Sequence, residues 1–191
     1  MSGSRDPSHF ERLYQSDPDP WGFLSDPYEQ AKYRRSLEML GGRRFVSGLE
    51  VGCSIGVLTH MLATGCDSLL GVDIVERPLE AARLRCAEQP WVGFQRMRIP
   101  GEWPNLRFDL IVLSEVLYFL SPVDIAFCAD RATTSLLPEG RVLLANWLGQ
   151  SDDPCSGDEA AEHFIAATVG ALHVVQQDRQ PRYRLDLLAA P

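Results

Sequence analysis

From residue 45 to about 150, short apolar runs alternate with stretches of helical periodicity, and that alternation limits the folds open to the chain. The runs Leu49 to Gly52, Ser68 to Ile74, Val92 to Gln95, Phe108 to Leu113 and Arg141 to Trp147 read as strands. Helical patterns fall at Val57 to Ala63, at Arg77 to Cys86, and after Ser121-Pro122-Val123-Asp124, which has a serine cap, an early proline and an acid in the first turn. Pro138-Glu139-Gly140 reads as a turn, Gly157-Asp158-Glu159 opens a further helix, and the tail from His173 reads as two strands around a turn near Gln180-Pro181. Strands that are apolar throughout, joined by helices, predict an α/β doubly wound, mostly parallel sheet with helices on both faces. The terminal pair adds an antiparallel hairpin at one edge.

A chain of 191 residues is long enough for one domain with a sizeable core. Residues 1–45 form an N-terminal arm that the sheet does not need, and 46–191 the ligand-binding body. Within the arm, Asp17-Pro18-Asp19-Pro20-Trp21-Gly22 must be irregular, because prolines remove backbone donors and restrict the residue before them. A helix starts near Ser25 or Asp26 with Pro27 in its first turn, carries Tyr33, Leu37 and Leu40 on one face, and ends at Gly41-Gly42.

A net charge of −8 argues against a nucleic-acid backbone as partner. No apolar run approaches the roughly 18 residues needed to span a bilayer, and Met1 to Gln15 lacks the apolar stretch of a signal peptide. No membrane partner and a cytoplasmic location are expected; oligomeric state is not legible. Five cysteines without C-x-x-C spacing argue against a disulfide framework or zinc knuckle. No His/Asp/Glu cluster has metal-ligand spacing, so no metal is expected. There is no G-x-S-x-G elbow of a serine hydrolase.

In open α/β sheets ligands bind beyond the carboxyl ends of the strands, where strand order reverses. The first such loop reads Glu50-Val51-Gly52-Cys53-Ser54-Ile55-Gly56. Gly52 permits a tight turn and close backbone approach to a ligand, and Gly56 lets the following helix pack close to the strand. Asp73 follows Gly52 by 21 residues, at the end of the second strand, where a carboxylate accepts hydrogen bonds from a ribose diol. These features fit NAD and S-adenosylmethionine (SAM) alike, but spacing separates the two. A dinucleotide fingerprint needs G-x-G-x-x-G, whereas this loop is G-x-x-x-G with an acid two residues ahead.

Glu50 to Gly56 resembles motif I of the class I SAM-dependent methyltransferases, with Ser54 in place of the middle glycine. Phe108 to Leu120 resembles that family's fourth strand and following loop, and Leu136 to Gly140 its turn into the fifth strand. Asp17-Pro18-Asp19-Pro20-Trp21, Tyr28-Glu29-x-x-Lys32-Tyr33, Glu50-Val51-Gly52-Cys53 and Ser114 to Leu120 together resemble the NodS-like branch. Those bacterial enzymes N-methylate a deacetylated chitooligosaccharide. The resemblance covers most of the first 120 residues and implies a Rossmann-like fold. It also implies that Glu50, Gly52, Cys53, Ser54 and Gly56 form the loop around the methionine part of SAM, with Ser114 beside the sulfonium. Many members place an acid after the third strand to receive the adenine amino group; Arg98 stands there, and an arginine cannot accept. The backbone of Met97 and Arg98 would then hold the adenine edge, between the side chains of Ile74 and Met97. Trp21, Lys32 and Tyr33 would fold over the cofactor as a lid, with Lys32, the only lysine, paired to the methionine carboxylate.

Methyl transfer from a sulfonium is an in-line displacement in which positioning supplies much of the acceleration. Glu115 is the candidate to bind an acceptor ammonium and help remove its proton, with Tyr118 orienting it. The expected function is SAM-dependent methyl transfer, with S-adenosylhomocysteine (SAH) as product. The acceptor is a small molecule, a polar amine such as an amino sugar or deacetylated chitooligosaccharide. O-methylation of a small metabolite and a non-catalytic SAM-binding regulatory module are the alternatives.

Overall fold

The computed structural model describes residues 3–191. Seven strands form one sheet in the order β3-β2-β1-β4-β5-β7-β6. They are β1 (Gly48–Val51), β2 (Leu69–Asp73), β3 (Val92–Arg96), β4 (Phe108–Ser114), β5 (Leu136–Trp147), β6 (His173–Arg179) and β7 (Tyr183–Ala189). The first five run parallel; β7 pairs antiparallel with both β5 and β6. Every residue of β4 is buried, as a central strand covered on both faces requires.

Among the described residues, six α-helices and two short 3-10 turns (Ala63–Gly65 and Leu117–Phe119) complete the element order, the α-helices being α1 (Pro7–Ser16), α2 (Pro27–Met39), α3 (Val57–Leu62), α4 (Glu76–Arg85), α5 (Pro122–Ser135) and α6 (Gly157–Ala167). One face of the sheet packs Leu110, Val112, Leu143 and Leu185 against Tyr33, Leu58 and Leu62 of α2 and α3. The opposite face packs Ile111, Leu113, Val142 and Leu144 against Ile125, Cys128 and Phe164 of α5 and α6. Helix starts follow the expected chemistry. Asp26 accepts the Tyr28 N–H at 2.8 Å ahead of Pro27, and Ser121 caps α5. Ser156 and Glu159 cap each other reciprocally at the start of α6.

Three features depart from the sequence reading. The arm contains an additional helix, α1, capped by Asp6 ahead of Pro7. Its Phe10 and Tyr14 are buried in the same apolar cluster as Val57, Leu58 and Leu62 of α3, so this part of the arm packs into the core. Second, Pro138-Glu139-Gly140 lies within β5. The β4–β5 pairing slips between Phe108 and Leu110, and Glu139 adopts φ +58°, so the turn becomes a bulge inside the strand. Third, Gly56 approaches a neighbouring helix where the strand was expected. A Cβ there would stand 2.8 Å from Ala82 Cβ and 2.9 Å from Ala82 Cα of α4.

Gly56 also adopts φ +77°, a conformation that side chains resist. Gly56→Ala therefore combines overpacking with backbone strain, each costing about 1–3 kcal/mol. The expected outcome is a thermal midpoint lower by roughly 5 °C or more, read by circular dichroism. An unchanged midpoint would mean that α3 and α4 can part without loss.

Candidate active site

A cavity of about 270 Å³ opens at the carboxyl ends of β1, β2 and β4. It lies beside the place where the strand order turns from β1 outward to β2 and to β4, as the switch-point rule requires. Gly52 forms part of its floor. A Cβ there would meet Val116 Cγ1 at 2.3 Å and the Ser114 carbonyl oxygen at 2.6 Å, and φ is +81°. Only glycine allows the β1 turn to come this close to the end of β4. Two residues with side chains, Ser54 and Glu115, also adopt positive φ (48° and 57°), and both line the cavity. Such strain persists where the surroundings over-determine it.

Asp73 ties the loops together. Its Oδ2 accepts the Ser54 N–H from the β1 turn at 3.0 Å, and its Oδ1 accepts the Val75 N–H at 3.0 Å. Its carbonyl oxygen accepts the Met97 N–H beyond β3 at 2.9 Å. Burial pushes the carboxyl up to about 6, against the pull of these amides. Each carboxylate oxygen keeps a lone pair for a further donor. Glu50, on β1 in register with Gly71 of β2, is fully buried; burial pushes it up to about 7, while Thr59 Oγ1 donates to it at 2.6 Å.

Glu115 lines the cavity at the end of β4, next to the β1 turn, and its N–H donates to the Ala145 carbonyl at 2.9 Å. Lys32 Nζ lies 2.7 Å from Glu115 Oε2 and 2.7 Å from Glu29 Oε2. The Lys32 side chain is 1% exposed. Glu115 Oε1 is buried and has no hydrogen-bond partner among the described residues. Burial also raises Glu29, opposed by the Lys32 charge. Tyr118 is buried alongside, its phenol raised by burial and then by the Glu115 charge.

Ten of the residues singled out in the sequence meet at this cavity. Trp21, Gly52, Ser54, Asp73, Ile74, Met97, Arg98 and Ser114 line it, as do Glu115 and Tyr118. Five do not. Glu50 sits behind the loop on Thr59, Cys53 is buried close to Gly71, and Gly56 faces Ala82. Tyr33 lies in the core. Lys32, expected on a ligand carboxylate, is instead engaged by two glutamates of the protein. The amides expected to meet an adenine edge are also in use. Met97 donates to Asp73, and Arg98 donates to Glu102 Oε2 at 2.6 Å while its carbonyl accepts the Glu102 N–H at 2.8 Å.

Sequence reasoning expected a lid from the arm, but of its three residues only Trp21 lines the cavity, and the rest of the cover was missed. Ser4, Arg5, Phe10, Tyr14 and Phe23 of the arm all line it. The Tyr14 hydroxyl meets Ser54 Oγ at 2.5 Å, Arg5 pairs with Asp152 and Asp153, and Ser4 bonds Asp124. The spacing of Phe10, Leu13 and Tyr14 after Asp6-Pro7 was the available signal for α1. Ile99, Pro100 and Gly101 line the far end and carry no motif of their own. Among the described residues, no group of three or more His, Cys, Asp or Glu could hold a metal ion, and no helix is long and apolar enough to cross a membrane.

This architecture is the Rossmann-like methyltransferase fold. The N-methyltransferase NodS from Bradyrhizobium japonicum WM9, crystallised with S-adenosyl-l-homocysteine, superposes with a TM-score of 0.84 at 23% identity, over 96% of this chain and 97% of that one. Residues 9–156 match the family described as Nodulation protein S (NodS), and the chain belongs to that family. Nodulation protein S of Bradyrhizobium diazoefficiens is 36% identical over 129 residues, 66% of this chain and 61% of the relative. That of Sinorhizobium fredii is 31% identical over 130 residues, 67% of this chain and 60% of the relative. The chain spans about three fifths of the length of these curated relatives.

The buried Glu50 sets a signed dependence on pH. Unfolded, it ionises near the ordinary carboxylate range; folded, it holds its proton to about 7. Between those values the folded protein binds more protons than the unfolded chain, so stability falls as pH rises through the window and levels off above it. Glu50→Gln removes this titration while keeping an oxygen for Thr59. From pH 5 to 8 the wild-type thermal midpoint is expected to fall by roughly 5 °C more than that of the variant. Parallel curves would show that burial does not hold the proton.

Proposed function

We propose that this chain is a SAM-dependent methyltransferase acting in the cytoplasm, which N-methylates a small polar amine such as an amino sugar or deacetylated chitooligosaccharide. The observation that carries the reading is a single cavity bearing two unlike walls. One is built from Gly52, Ser54 and Asp73, the other from Glu115. Membership of the NodS family supports it, as does the likeness to an N-methyltransferase crystallised with SAH.

The first wall suits SAM. Gly52 presents bare backbone, the two Asp73 oxygens retain acceptor capacity toward a ribose diol, and Ile74 and Met97 offer apolar flanks to a base. When bound, SAM supplies an electrophilic methyl group on a sulfonium. Ser114 and Glu115, at the end of β4, line the same cavity and would border the bound cofactor. Glu115 attracts an acceptor ammonium and takes up the proton that must leave before nitrogen can attack, while Tyr118 bounds the space in which the amine is oriented. Residues 1–45 act as a cover over a body made of 46–191. Phe10, Tyr14, Trp21 and Phe23 close the cavity and exclude water, which fixes the attack geometry.

Asp73→Asn keeps the shape and removes the charge. It is expected to weaken SAH binding about tenfold or more, the scale of a lost charge-assisted hydrogen bond. Wild-type affinity should fall as pH drops below about 6, where Asp73 takes up its proton, and the variant's should not. Calorimetric titration from pH 5 to 8 reads both; equal curves would take Asp73 out of the site.

Glu115→Gln is expected to lower turnover on an amine by tenfold or more while leaving SAH affinity within about twofold, as removal of a general base does. Mass detection of methylated product across amines and hydroxyl compounds decides the acceptor. Product on hydroxyls alone would make this an O-methyltransferase. SAH binding without any product would make it a binding module.

A further inference from the structure

We infer that Lys32 is a positioning residue for Glu115. It holds one carboxylate oxygen of Glu115 against a second, buried glutamate, Glu29, so that Glu115 is fixed beside the cavity. The inference deepens the amine reading and rests on it for its kinetic consequence. It takes the chain's only lysine away from the cofactor and gives it to the acceptor.

The geometry is specific. Lys32 and Glu29 lie one turn apart on α2, and Glu115 leaves the carboxyl end of β4. The ammonium bridges the two carboxylates at 2.7 Å each, and it lies 5.3 Å from the Tyr28 ring and 5.5 Å from the Tyr33 ring. A cation that is 1% exposed and enclosed by two acids and two aromatic faces is not a solvated surface lysine. Neither Lys32 nor Glu29 lines the cavity, whereas Glu115 does.

One ammonium group faces two carboxyl groups here. Lys32 and Glu115 Oε2 form an ion pair at 2.7 Å without regular hydrogen-bond geometry, and Glu115 Oε1 has no hydrogen-bond partner among the described residues. A buried carboxylate oxygen without a donor is costly, and a protonated amine brings the donor it lacks. The backbone at Glu115 is held at φ +57°, so this carboxylate is placed under constraint. Other charged groups act on its surroundings: Asp26 on Glu29, Asp153 on Tyr118, Glu50 and Asp19 on Tyr33, and Arg182 over the Tyr28 ring at 3.8 Å. Burial raises the phenols of Tyr28, Tyr33 and Tyr118, and the charges in direct contact with Glu115 and Glu29 come down to Lys32.

Removing either partner of Glu115 should move it in opposite directions. Without Lys32, two carboxylates face one another and share a proton, so Glu115 ionises at higher pH. Without the Glu29 charge, Lys32 serves Glu115 alone, and Glu115 ionises at lower pH. Lys32→Arg keeps the cation and should restore most of the wild-type behaviour.

The test uses the full chain with Lys32→Met, Lys32→Arg and Glu29→Gln. Circular dichroism and SAH calorimetry confirm folding and cofactor binding; affinity within about twofold of wild type is expected, since neither residue lines the cavity. Carbon-13 NMR of the Glu115 carboxyl, assigned with Glu115→Gln, is followed against pH. The midpoint is expected to rise by one pH unit or more in Lys32→Met, to fall in Glu29→Gln, and to stay near wild type in Lys32→Arg. With an accepted amine, the acidic limb of kcat/KM moves with it, so that on that limb Lys32→Met loses tenfold at fixed pH. Midpoints that stay put, or that move the same way in Lys32→Met and Glu29→Gln, overturn the assignment. So does an unfolded Lys32→Met accompanied by an unmoved Glu29→Gln. A wild-type protein that methylates no amine defeats the amine reading instead, and the carboxyl titration still decides the role of Lys32.

Discussion

The geometry of the cavity depends on one buried carboxyl group. Asp73 receives amides from the turn after β1 and from the start of α4, and its own carbonyl receives an amide from beyond β3. Three loops that share no sequence contact are thereby fixed to the end of one strand. Parallel strands deliver their loops to the same edge of the sheet but do not set the spacing between loops. Here hydrogen bonds from backbone amides set it. The carboxyl sits where burial disfavours its charge and amides favour it. It is therefore poised to answer a ligand donor, and the same group that shapes the pocket is available to read what enters it.

The distribution of buried charge extends this logic. Glu50, Asp73, Glu29 and Glu115 gather around the carboxyl ends of β1, β2 and β4, and Lys32 is the cation set directly among them. Carboxyl groups collected in this way repel one another and lose hydration, which is why burial raises Glu29, Glu50 and Asp73 together. An arrangement of that sign is costly to keep unless it has a use. Of these carboxyl groups only Asp73 and Glu115 line the cavity, and with Asp124 they outnumber the lining Arg5 and Arg98, a balance that favours cationic ligands. A sulfonium donor and an ammonium acceptor are both of that kind.

Much of this was legible in the chain. Alternating apolar and helical segments predicted the sheet and its closing hairpin, and the 21-residue spacing from Gly52 to Asp73 located the two loops that meet at the cavity. What stayed hidden was set by contacts distant in sequence. Lys32 resembles a ligand-facing residue in its local pattern, but its partner Glu115 lies 83 positions on, and only the fold brings them within 2.7 Å. Gly56 has the expected backbone freedom, but the surface it must clear belongs to Ala82 of another helix. Met97 and Arg98 were read as free backbone because nothing local showed that Asp73 and Glu102 would claim their amides. The bulge at Glu139 likewise needs β4 as a neighbour to exist.

The departure of motif I from its family pattern and the unexpected helix in the arm have a common explanation. Ser54 stands where the pattern has glycine, and it keeps the positive φ that glycine would adopt without strain. A serine there costs backbone energy but adds a hydroxyl. That hydroxyl meets the hydroxyl of Tyr14, on a helix that no motif announced, at 2.5 Å. Tyr14 in turn packs its ring edge-on to Trp21, which stacks with Phe23. All four residues line the cavity. The substitution in the loop thus provides the point at which the arm is fastened to the cofactor wall. Arg5 and Ser4 fasten its other end to Asp153 and Asp124, on the α5 side of the cavity. An arm attached at both ends and buried along Phe10 and Tyr14 cannot be a loose flap.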